Sequence, residues 1–202
     1  MRTKPVFSLL VSMSVPMMLS MLIQSLYNIV DSIYVSRLGT DALTAVSLAY
    51  PLQNAIVSVG VGIGVGISSA ISIHLGSGDQ EKADRAASLG IVLTVFHCIL
   101  FVLAGIFTTR PFLRLFTENP VILKDACNYT YIVLCLSFGS LLQIAFEKIF
   151  QSIGRMKVTM YLLIAGCVIN IILDPVLIFG LLGFPALGVT GAAVATVIGQ
   201  IC

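Results

Sequence analysis

The sequence predicts an all-α, polytopic membrane protein: a six-helix transmembrane bundle whose sixth helix is truncated. Three observations predict it. Hydrophobic residues make up 58% of the 202 residues and charged ones only 10%, against about 25% charged in an ordinary soluble domain. So few charges cannot coat a water-facing surface. The apolar stretches are also long, reaching or passing the roughly 20 residues that a helix needs to cross a bilayer. Finally, the alternating polarity in segments of about 10 residues that a membrane β-barrel requires is missing. The net charge of +2 is spread over turns and forms no basic face, so no nucleic-acid partner is expected. Cys98, Cys127, Cys135, Cys167 and Cys202 lie in or beside apolar runs without metal-ligand spacing. They read as small packing residues.

The first span covers about residues 6–35. Arg2 and Lys4 precede it, but the apolar run is too long for the core of a cleaved signal. Pro16 removes one backbone donor inside this span and predicts a bend. A polar turn with Gly39 suits a helix C-cap. The second span, about 43–75, contains Pro51 and four alternating glycines from Gly60 to Gly66. A nucleotide-binding glycine loop would follow a strand and open a soluble helix, and neither context exists here. Instead Gly60, Gly64, Ser68, Ser72 and Gly76 form one ridge of small residues at i+4 spacing. Gly62, Gly66 and Ala70 form another, so the helix is expected to pack closely on two sides or to slide against a neighbour.

Asp79 reads as the N-cap of the third span, about 86–109. The sequence Gly76-Ser-Gly78-Asp79 also matches a signature of intramembrane aspartyl proteases. That chemistry needs the aspartate within a span, whereas Asp79 sits in a charged turn, so no enzyme is expected. A lone His97 reads as a packing residue. Cations and bulky apolar residues mix over residues 110–116, as in an interfacial segment. Asn119-Pro120 suits the start of the fourth span, about 121–153, which ends in Gln143, Glu147 and Gln151 at i+4 spacing beside Lys148 and Arg155. A short turn at residues 154–157 predicts an antiparallel hairpin with the fifth span, about 158–182. The sixth opens near residue 188 with Gly191, Ala195 and Gly199 at i+4 spacing. It ends at residue 202, short of a full crossing, and the sequence reads as a fragment cut inside a helix.

Function is expected where polarity enters these spans. Gln24, Asn28 and Asp31 are i, i+4 and i+7 on one helical face, with Tyr27 on its flank. Asn170 and Asp174 repeat the device in the fifth span, and Pro175 frees the carbonyl of Ile171 nearby. A carboxylate inside a span costs several kcal/mol unless it is paired, hydrated or neutralised. Two of them at similar depth form a candidate single site.

These residues resemble the multidrug and toxic compound extrusion (MATE) family, over essentially the whole chain and in its N-terminal half. The features that carry the resemblance are the run from Gln24 to Asp31 after Pro16, the glycine-rich second span with Gly76-Ser-Gly78-Asp79, the turn Gln151-Ser-Ile-Gly154 ahead of Asn170 to Pro175, and Gly188-Val-Thr-Gly191-Ala-Ala-Val-Ala-Thr196. The resemblance implies a twelve-span protein of two lobes, residues 1–202 forming the first. It implies export of drug-like, often cationic, small molecules in exchange for H⁺ or Na⁺, with no cofactor beyond the coupling ion. It further implies that Asp31, Asn170, Asp174 and Thr196 hold that proton or Na⁺, with Gln24 matching a polar position seen in some members. The expected partners are the bilayer, the drug-like substrate and the missing C-terminal lobe. Two other readings stand beside it. A lipid-linked saccharide flippase of related fold would line its cavity with cations for pyrophosphate, and spans 1, 2, 3, 5 and 6 have no interior Lys or Arg. A non-transporting bundle would use the polar faces as glue.

Basic residues at positions 2, 4, 82, 85, 148, 155 and 157 outnumber those at 37, 110, 114 and 124, which places the N-terminus on the cytoplasmic side of the cell membrane. In a cysteine-free background, Gln80→Cys should therefore resist an impermeant thiol reagent added outside and react once the membrane is opened. Labelling from outside in sealed cells would reverse the topology.

Overall fold

Inside hydrocarbon, backbone N–H and C=O groups find no water, so a chain this apolar must satisfy them within each segment. In the computed structural model, which describes residues 6–201, it does so with seven α-helices, and no strand occurs among the described residues. Arg2, Lys4 and Cys202 lie outside the described residues. The helices are α1 (Val6–Ser36), α2 (Thr40–Gly76), α3 (Gln80–Arg114), α4 (Pro120–Cys135), α5 (Ser137–Ser152), α6 (Met156–Phe179) and α7 (Val189–Ile201). A single 3₁₀ turn, Leu181–Gly183, follows α6. Helices α1, α2, α3 and α6 are each long and apolar enough to cross a membrane. Together α4 and α5 make a fifth, broken span, and α7 is a shorter apolar helix.

Local chemistry sets the boundaries. Asp79 caps α3: its carboxylate accepts from the Lys82 backbone N–H at 3.1 Å and pairs with Lys82 Nζ at 2.7 Å. These bonds, the side-chain one foremost, hold the Asp79 carboxyl below the usual carboxylate range. Asn119 Oδ1 accepts from Val121 N at 3.0 Å, with Pro120 at the first position of α4. Gly180 ends α6 in a left-handed conformation (φ +72°), where a Cβ would stand 2.6 Å from the Ala186 nitrogen. The helices run on through Pro16, Pro51, Pro111 and Pro175. Around Pro111, α3 continues helical to Arg114, further than the span read from hydropathy.

The expected continuous fourth span is corrected. It breaks at Leu136, and its two halves meet at 46°. Ser137, Gly139 and Ser140 open the second half, buried small residues of the Gly/Ser kind at which helices bend. Gly139 packs on the Ile201 side chain, and the Ser140 hydroxyl donates to Gln200.

Packing is inside out relative to a soluble protein. Large apolar side chains such as Phe107 (72% exposed) point outward, while the interior holds Ala45, Ala192, Ala193 and Ala195 with Ile56, Leu141 and Ile178. On α2, Gly60 faces Leu141 and Gly64 faces Lys148, both on α5. The second ridge meets nothing: a Cβ at Gly62 or Gly66 would have no neighbour within 4 Å. Of the two expected small-residue ridges, only the first makes a close contact, and α2 packs on α3 through Ile67, which seats against Gly90. The tightest approach joins α6 to α7. A Cβ on Gly166 would run into the Gly199 carbonyl, and one on Gly191 would stand 2.5 Å from the Leu177 carbonyl.

Backbone atoms cannot step aside as side chains can. Gly166→Ala should therefore lower stability by about 1–3 kcal/mol, while Gly62→Ala should stay within about 0.5 kcal/mol. Thermal unfolding of the detergent-solubilised protein reads both. Asp79→Asn keeps a capping oxygen, and the carboxylate it replaces is already ionised well below neutral pH. Stability linked to Asp79 is present above the ordinary aspartate pKa and lost only as pH falls through its lowered folded value. Profiles of variant and wild type between pH 5 and 8, a window above both values, should therefore run parallel.

Candidate cation site

Three helices bring the polar residues together. The close approach of α6 and α7 sets Asn170 (2% exposed) and Asp174 (0%) beside Thr196 (2%). Helix α1 packs along α6 and presents Tyr27 and Asp31. The Tyr27 hydroxyl donates to Thr196 Oγ1 at 3.4 Å, across 169 positions of sequence. Asp31 and Asp174 stand within electrostatic range of each other. Asp31 Oδ1, both oxygens of Asp174, and Asn170 Oδ1 and Nδ2 are buried without a hydrogen-bond partner. These three residues thus each place a buried oxygen atom in the protein interior.

Two side chains that the sequence reading did not include complete the cluster. Tyr129 on α4 is buried, and its hydroxyl donates to Gln53 Oε1 on α2 at 3.4 Å. The same phenol lies in the neighbourhood of Tyr27, Asp31, Asp174 and Thr196. A buried tyrosine inside an apolar span needs a partner for its hydroxyl, and Gln53, two residues past Pro51, was the available signal.

A cavity of about 60 Å³ borders the cluster, with Tyr27, Asn170 and Thr196 in its wall. Gln24, Gln143 and Gln200 line it as well and also line a second cavity of about 230 Å³. The second is bounded by the Glu147 network, in which Gln151 Nε2 donates to Glu147 Oε1 at 2.7 Å and Lys148 Nζ donates to the same oxygen at 3.2 Å. Three glutamines thus lie between Asn170 in the wall of the first cavity and Glu147 in the wall of the second. On the other side, Asp31 borders a cavity of about 220 Å³ with Ser47 and Tyr50 of α2.

Asn28 is placed differently from its neighbours. It is exposed and does not share the cavity of Gln24 and Tyr27. At 100° per residue it lies about 60° round from Asp31, on the flank away from Tyr27. His97 is half-buried, and its Nδ1 lies 2.9 Å from the Leu93 carbonyl one turn back, a local bond. Asp79 is an exposed cap outside the cluster, which leaves no intramembrane aspartate pair of the protease kind at that motif. Among the described residues no group of three or more His, Cys, Asp or Glu side chains is gathered as a metal site. Any inorganic ion here would be held by mixed carboxylate, amide and hydroxyl oxygens.

The fold is a bundle of helices long and apolar enough to cross a membrane, with a buried polar cluster between them. The chain belongs to the MatE family, whose match covers residues 16–176. It is 35% identical over 188 residues to the probable multidrug resistance protein YoeA of Bacillus subtilis (strain 168), covering 93% of this chain and 41% of that protein. It is 30% identical to a FAD transporter of Shewanella oneidensis, covering 95% of this chain and 42% of the relative. A solved MOP-superfamily transporter from Pyrococcus furiosus superposes with a TM-score of 0.90 at 31% identity, over 96% of this chain and 42% of its own. The chain spans about two-fifths of the length of these relatives, which corresponds to one lobe.

Proposed function

We propose that the chain is the N-terminal lobe of a secondary active exporter, which moves drug-like, often cationic compounds out of the cytoplasm in exchange for H⁺ or Na⁺ by alternating access. The observation that carries this reading is the set of buried, partnerless oxygens on Asp31, Asn170 and Asp174. A buried carboxylate in a span demands compensation worth several kcal/mol. A shared proton or a Na⁺ supplies it, and hard oxygen donors suit the latter. Tyr27 and Thr196 stand ready to orient the same site. In this reading the coupling cation brings the cluster near neutrality and favours a closed packing of α1 on α6, with Pro16 and Pro175 as places to bend. Its loss leaves charge that favours a hydrated, open arrangement. Coupling then comes from the difference in affinity between the two arrangements. Gln24 and Asn28 face the space through which substrate passes. The N-terminus and the turns at residues 79–85 and 154–157 are cytoplasmic, and the second lobe comes from the rest of the full-length chain. Relatives named as multidrug resistance proteins support the substrate class.

Efflux of a fluorescent organic cation from cells carrying the full-length transporter, under an imposed pH or Na⁺ gradient, tests this. Asp31→Asn and Asp174→Asn should each cut coupled export on the order of tenfold. The double variant should add little, about twofold at most, because the two groups act as one site. Wild-type rates in Asp31→Asn, with unchanged pH and Na⁺ dependence, would mean that the polar face of α1 is structural.

A further inference from the structure

Three cations gather at the end of α3 opposite to Asp79, and neither the buried cluster nor the polar cavities use them. Arg110 and Arg114 are one turn apart on α3, and Lys124 is on the second turn of α4. They share a notch of about 750 Å³ with Thr117, Asn128 and Tyr131. Cys127 of α4 lines the same notch, so both arginines border the α3–α4 groove. Glu118 also lines the notch, leaving three cations against one carboxylate. Among the described residues the only ion pairs are those of Lys82 with Asp79 and Lys148 with Glu147, so none of these four charges is matched.

Depth and rim identify what would match them. The 35 residues of α3 span about 52 Å at 1.5 Å each. A hydrocarbon core is about 30 Å thick and the whole bilayer about 40–45 Å. The last turns of α3 therefore emerge at headgroup level. Next to the notch, Leu115 (81% exposed) and Phe116 (59%) project without protein cover. Fixed cations over an apolar rim are the complement of a phosphate ester carrying acyl chains. An arginine pair presents forked donors to phosphate oxygens, and Asn128, Thr117 and Tyr131 offer polar groups to a headgroup hydroxyl.

We propose that this notch binds an anionic diacyl phospholipid of the phosphatidylglycerol class, with its phosphate between Arg110, Arg114 and Lys124. The site is separate from the proposed cation site and does not depend on what the transporter carries. It also accounts for cations that run against the charge asymmetry of the other turns.

The full-length transporter in nanodiscs of phosphatidylcholine, with and without phosphatidylglycerol, provides the test, with bound lipid read by native mass spectrometry. Wild type should retain phosphatidylglycerol over phosphatidylcholine. Arg110→Gln with Arg114→Gln should lower that retention on the order of tenfold, the weight of a lost charge-assisted hydrogen bond or more. Lys157→Gln, at the other membrane face, should leave it unchanged. Inorganic phosphate should not raise the melting temperature of detergent-solubilised wild type. If the double variant fails to fold, Lys124→Gln is read in its place and should lower retention severalfold. Unchanged retention in the folded variant would overturn the proposal. So would stabilisation by inorganic phosphate equal to that by the lipid, which would make the notch a free-anion site.

Discussion

The structure depends on how closely α6 and α7 approach. At Gly166, Gly191 and Gly199 the two helices meet backbone to backbone, with no room for a Cβ at Gly166 or Gly191. That distance fixes everything polar nearby. It seats Thr196 where the Tyr27 hydroxyl reaches it, and it closes Asn170 and Asp174 from solvent. A side chain at any of these glycines would push α7 outward and open the cluster to lipid. Small residues bring backbones together in membranes because lipid provides no hydrophobic drive between helices. Here the same device also fixes the spacing of charge-bearing groups.

Sealing those groups has an energetic consequence. Elsewhere in the bundle, exposed hydroxyls satisfy themselves locally, as Ser25 and Ser32 donate to carbonyls one turn back at 3.0 and 2.8 Å. Asp174 has no such recourse: both its oxygens are buried and unpaired. No protein group hydrogen-bonds either oxygen, and an ionised carboxylate in a low-dielectric interior is costly without compensation. The proposed coupling cation, H⁺ or Na⁺, would supply the compensation that a buried carboxylate requires.

Much of this was legible in the sequence because bilayers are a simple filter. Long apolar runs gave the helices, and the few amides and carboxylates inside them pointed to Gln24, Asp31, Asn170 and Asp174. Thr196 was reachable only through family resemblance, since a threonine among alanines and glycines carries no signal of its own. Hydropathy could not show the break at Leu136, because it measures how apolar a segment is and not which way it points. Nor could it rank Tyr27 above Asn28. They are adjacent on α1, and only the position of α6 decides which one turns inward. The Gln53–Tyr129 bond joins residues 76 positions apart, a pairing that periodicity within one helix cannot reveal.

The outward face of α1 constrains what must lie against it. Its apolar side chains are mostly exposed, and so are the amides of Gln24 and Asn28 near the middle of the helix. Neither amide makes a side-chain hydrogen bond among the described residues, although Gln24 borders the polar cavities. Lipid cannot serve as their surroundings, since each unsatisfied amide group in hydrocarbon costs several kcal/mol. Water or another polar protein surface has to cover this face. The relatives extend to more than twice the length of this chain, so material to enclose an aqueous space is available in them. Gln24 borders both the proposed substrate path and the cavity beside the proposed cation cluster. A rotation or bend of this single helix would therefore change both surfaces at once.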